Sequence, residues 1–70
     1  MKAEDVKKIL NTTNNKSKKV VITSNSGKEF KMRLRINPMG MLCIGNENSK
    51  SVNYIIGDSV TENWKDVRLC

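Results

Sequence analysis

From Phe30 to Ile36 the chain alternates apolar and cationic side chains without a break: Phe, Lys, Met, Arg, Leu, Arg, Ile. Successive side chains on a strand point to opposite faces. Phe30, Met32, Leu34 and Ile36 therefore share one face, and Lys31, Arg33 and Arg35 share the other. The segment reads as a half-buried strand whose wet side is a ladder of positive charges, spaced about 6–7 Å apart. Phosphates along a nucleic-acid strand repeat at a similar distance, so the ladder points to an anionic partner.

A chain of 70 residues is near the lower limit for folding without a disulfide or metal. Its hydrophobic share of 37% and charged share of 29% are those of a globular domain, expected to span residues 1–70. Phe30, Tyr54 and Trp64 are the only aromatics, so Val, Ile, Leu and Met must build most of the core. A core this small leaves little room for a deep pocket, and function is expected on a surface. The net charge of +6 is uneven: residues 1–19 carry +4, residues 20–36 carry +3 and residues 37–70 carry −1. A basic first half favours nucleic acid, DNA or RNA, or an acidic protein surface as partner. A solvated Lys-rich surface with no ligand is the plain alternative.

Cys43 lies in the apolar run Met-Leu-Cys-Ile and Cys70 ends the chain. Without His or a Cys-x-x-Cys pair, no metal site is expected, and the cysteines read as free thiols of a reduced, cytoplasmic protein. No apolar run approaches a membrane span and no leader-type segment opens the chain, so no membrane partner is expected. Heavy use of Lys, Asn and Ile suggests an AT-rich genome, such as that of a low-GC bacterium, its phages or its plasmids.

Ala3, Val6, Ile9 and Leu10 fall on one face at helical spacing, predicting a short helix over 3–10. Residues 11–19 read as a polar, basic linker. Strands are expected at Val20–Thr23, Lys28–Ile36, Met41–Ile44, Val52–Ile56 and Val67–Leu69. Gly27 and Asn37-Pro38-Met39-Gly40 supply turns between them. Ser59 with Glu62 resembles a capping box and predicts a single helical turn near Val60–Trp64. Five short antiparallel strands after a helix predict a mainly β domain, a small SH3-like barrel whose closure removes exposed edges.

Lys18, Lys19 and Lys28 would widen the patch made by Lys31, Arg33 and Arg35. Protection of a sheet edge could account for the same charges. Trp64 is expected to plug the core, with a protein interface as its other role. Met39 and Met41, beside Gly40, either pack over the end of the core or offer an adaptable contact surface. A catalytic set is missing: there is no His, the carboxylates are scattered, Cys43 has no activating neighbour and no glycine-rich phosphate loop occurs. No enzyme and no cofactor are expected.

Val20-x-Ile22, Gly27, Phe30 and Leu34 are similar to the start of the first motif of Sm-like proteins, and Ile55-x-Gly57-x-x-Val60 to their second. Met32 stands where that family has a second glycine, and the Asp and Asn of its RNA-contacting loop have no counterpart. The spacings suit many SH3-like barrels, so membership is not assigned and no binding residue is carried over. The leading expectation is a non-enzymatic protein contacting nucleic-acid backbone through its cationic strand face. On that expectation, replacing Arg33 and Arg35 with Ala weakens binding and leaves the fold intact. The alternative is a phage- or mobile-element-encoded inhibitor that occupies an acidic or nucleic-acid-binding groove of a host protein, for example in a defence system.

Overall fold

The computed structural model describes residues 1–11 and 16–70. Helix α1 (Ala3–Leu10) precedes strands β1 (Lys18–Ser24), β2 (Glu29–Ile36), β3 (Leu42–Asn46) and β4 (Tyr54–Ile56). A single helical turn, α2 (Asp58–Thr61), then leads into β5 (Trp64–Leu69). The five strands form one antiparallel sheet in the order β4-β3-β2-β1-β5. The predicted mainly β class and the helix over 3–10 are therefore present.

Local chemistry sets the hairpins. Gly27 has φ 91° and its N–H donates to the Ser24 carbonyl, while the Ser24 N–H donates to Lys28. Positive φ is the conformation glycine adopts without the steric cost of a Cβ. At the next turn the Asn37 side-chain oxygen accepts from the N–H groups of both Met39 and Met41, and Gly40 takes φ 82°. Side-chain mimicry of a backbone turn is what asparagine does well.

The alternation read in residues 30–36 places Leu34 among fully buried side chains and leaves the cations on the opposite face. Val20 and Ile22 from β1, Leu42 from β3, Ile56 from β4, and Trp64 and Val67 from β5 join it in one core cluster. Residues from both edge strands meet in that cluster, so the sheet curls around it. The curl stops short of the predicted barrel: no ladder joins β4 to β5 among the described residues. Closure would need those two edges to pair. The chain instead passes between them through residues 57–63, including α2.

Helix α1 covers the open side of this core. Val6 and Leu10 are fully buried, each worth about 1.5–3 kcal/mol by transfer from water. Both helix ends are tied to distant residues. The Ala3 N–H donates to Asp58 Oδ1 at 2.8 Å, and the Met1 ammonium donates to the Trp64 carbonyl at 3.1 Å. At the other end Asn11 turns left-handed and Lys18 Nζ donates to the Leu10 carbonyl at 3.0 Å. The Asp58 and Lys18 bonds satisfy helix-end groups that eight residues cannot satisfy internally, and the Met1 bond ties the segment before the helix to β5.

Several boundaries differ from the sequence reading. Lys18 and Lys19 begin β1 rather than ending a linker; of the expected linker, residues 12–15 lie outside the described residues. β5 starts at Trp64, three residues before the expected Val67, because Ser24 pairs with Trp64 across a register shift. The capping box does not form: α2 follows Gly57 with no side-chain cap, and Asp58 caps α1 instead. Asp58→Ala should therefore cost about 1 kcal/mol of unfolding free energy in urea titration. Asp58→Asn should recover most of it, since an amide oxygen can accept the same bond.

Candidate anion-binding face

Register decides which cations meet. Lys19 lies directly opposite Arg33, and Val21 is flanked by Lys31 on β2 and Arg68 on β5. Thr23 is flanked in turn by Glu29 and Asp66. The outer face thus runs from a carboxylate row near the β1–β2 turn to a cationic region made by Lys31, Arg68, Lys19, Arg33 and Arg35. Arg68 and Glu29 bridge the two regions at 3.4 Å. With more than half of each side chain exposed, that pair holds little energy.

The structure brings four of the six sequence candidates together: Lys19, Lys31, Arg33 and Arg35. Lys18 has the opposite parity on β1, pairing with Leu34, and its ammonium serves the end of α1. Lys28 is exposed in the turn beside Glu29, at the carboxylate end. Arg68 was missed by the sequence reading; the signal was its place beside apolar Val67 in the expected last strand, since neighbours on a strand face opposite ways. Lys50 had no such signal, because a loop has no alternation to read.

That loop, between β3 and β4, folds over the outer face and is held there by the two arginines. Arg33 Nε donates to the Glu47 carbonyl at 2.9 Å, and its Nη1 donates to Ser17 Oγ at 3.2 Å. Arg35 Nε donates to the Val52 carbonyl at 2.8 Å, and its Nη2 donates to Asn53 Oδ1 at 2.7 Å. Gly45, opposite Arg33, permits the approach: a Cβ there would lie 3.2 Å from the Ser51 carbonyl oxygen and 3.3 Å from Val52. Val52 is buried yet stands outside the main core cluster, as does Cys43, so β3 buries side chains on both of its faces.

The arginines are therefore structural as well as cationic. Replacing them would release the loop, so they are poor reporters of charge alone. Lys31 is exposed, and its side chain makes no such bond among the described residues. Trp64 is 5% exposed and sits in the core cluster. Met39 is 77% exposed at the tip of its turn and Met41 37%, so Met39 does not pack over the core end. Cys43 is buried and Cys70 exposed, both as free thiols. Among the described residues no group of three or more His, Cys, Asp or Glu is placed to hold a metal. Among them too, no helix is long and apolar enough to cross a membrane.

No family model, curated protein or solved structure matches the chain.

The bracing bonds set a contrast within one strand. Arg35→Ala should destabilise by about 1–3 kcal/mol, since it strips a charged donor from the part-buried Val52 carbonyl. It should also speed amide exchange across residues 47–53. Lys31→Ala should stay within about 0.5 kcal/mol of the parent in the same urea titration. Gly45→Ala should cost about 1–3 kcal/mol by crowding the Ser51 and Val52 backbone, with the same loop loosening.

Proposed function

We propose that this protein binds nucleic-acid backbone without catalysis, through the outer face of a curled sheet of SH3-like type left open between β4 and β5. The observation that carries the reading is the packing of like charges across strands. Lys19 faces Arg33 directly, and Lys31 and Arg68 flank the same valine. Like charges set opposite each other on a sheet destabilise it. A run of phosphates placed over them turns that repulsion into attraction, and released counterions add to the binding. We assign the contacts to Lys19, Lys31, Arg33, Arg35 and Arg68, and leave out Lys18, which serves the end of α1, and Lys28, which lies beside Glu29. Backbone contacts of this kind carry little sequence information.

A second reading has its own observation. On the edge strand β4, Tyr54 is 72% exposed and Ile55 54%. Exposed apolar side chains on an unpaired edge suit a protein partner that adds a strand. An inhibitor that docks there, with the cationic face against an acidic groove, would use both surfaces.

Fluorescence anisotropy with labelled single- and double-stranded DNA and RNA, over a salt series, tests the first reading. Binding should weaken steeply with salt. The Lys19→Gln, Lys31→Gln double variant should reduce the slope of log K against log salt by about 2, with its melting temperature no lower than the parent's because cross-strand repulsion is relieved. Absence of binding at low salt, or an unchanged slope in the folded variant, would refute it and leave the protein-partner reading.

A further inference from the structure

We infer that the cleft beneath the β3–β4 loop is a seat for a single phosphate group. The inference deepens the nucleic-acid reading, and it commits to a place on the outer face that the charge ladder alone does not single out. The cleft holds about 270 Å³ and is lined by Ser17, Arg35, Lys50, Ser51, Val52 and Asn53. Two cations and no carboxylate line it among the described residues.

Its hydrogen-bond balance is one-sided. Acceptors around it are already occupied: the Val52 carbonyl and Asn53 Oδ1 by Arg35, and the Ser51 carbonyl by Ser49 Oγ. Ser17 Oγ accepts from Arg33 Nη1, and Ser51 Oγ accepts from Asn53 Nδ2. A hydroxyl that is already accepting has its hydrogen left to give. Lys50 makes no hydrogen bond or ion pair among the described residues and adds an ammonium with three donors. The cleft thus offers surplus donors and net positive charge, while each acceptor named above already carries a donor. A neutral polar ligand would need both donors and acceptors. A tetrahedral oxyanion needs donors only, and charge-assisted bonds to it are the strong ones.

The Arg35 guanidinium is fixed by the loop it holds, so its charge is placed before any ligand arrives. Lys50 is exposed and makes no such bond, so its ammonium would meet the anion from the solvent side. The same chemistry would accept a phosphate on a nucleic-acid strand or free in solution, and the two sources are separated by the probe.

The test is titration of the isotope-labelled protein with inorganic phosphate, and separately with single-stranded oligothymidylate, at constant ionic strength by NMR. Phosphate should produce saturable shifts confined to Ser17, the Arg35 side-chain Nε–H and residues 50–53. Lys50→Gln should weaken that binding by about three- to tenfold. Lys8→Gln, an equal change of charge on the exposed side of α1, should leave it as in the parent. Oligothymidylate shifting the same amides, and losing that shift to excess phosphate, supports both the seat and the nucleic-acid reading. Phosphate binding in the cleft with no oligothymidylate binding anywhere upholds the seat and refutes the nucleic-acid reading. Oligothymidylate shifts over Lys19 and Lys31 with the cleft silent to both probes overturn the seat and spare that reading. Shifts spread evenly over every lysine, or a folded Lys50→Gln variant that binds phosphate like the parent, also overturn it.

Discussion

A five-strand sheet with one apolar face needs something to cover that face, and here the cover is an eight-residue helix. Two turns of helix are not stable by themselves. α1 persists because Val6 and Leu10 bury completely in the sheet's concavity and because other segments complete its ends. Asp58, Trp64 and Lys18, which supply those bonds, lie in or next to the segments that must come together to shape the concavity. Helix docking and sheet curling are thus one event. Either without the other would leave apolar surface and unpaired backbone groups in water.

The outer face follows the opposite logic. Most of it has no apolar cover, so β2 presents cations there; where β3 approaches the edge, the β3–β4 loop lays Val52 over Gly45. Arg33 and Arg35 stand at that boundary. Each gives part of its guanidinium to loop carbonyls and remains charged while doing so. Arginine suits this double duty because its planar group has five donors and its charge is permanent. Lysine at the same positions could hold the loop or face an anion, with no fixed geometry for both.

The alternation in residues 30–36 made β2, its core residues and its cationic face legible in the sequence, because period two admits one reading over seven residues. Gly27 and Asn37-Pro38-Met39-Gly40 marked both turns for the same local reason. Reading failed where tertiary contacts decided. Ser59 and Glu62 had the spacing of a capping box, yet Asp58 caps a helix more than fifty residues away. Lys18 and Lys19 looked like one basic pair, although strand parity sends them to opposite faces. The barrel was inferred from strand number and length. Closure depends on whether the edges reach each other, and local sequence does not encode that distance. Lys50 was invisible because its place depends on the loop's return over β3, fixed by arginines far from it in sequence.

Binding costs whatever order the partners lack beforehand. In this face that cost is divided unevenly. The guanidiniums are held by carbonyls during folding, so little of their side-chain freedom remains to be lost on contact with an anion. The Lys19, Lys31 and Lys50 side chains make no such bond among the described residues, and each would give up rotamer entropy in binding. On the proposed reading, arginines held by carbonyls would set position and the lysines beside them would add long-range attraction. The same arrangement explains why a small sheet tolerates repelling charges on neighbouring strands. The arginines return part of their cost as loop stability, and the lysines make no comparable bond among the described residues.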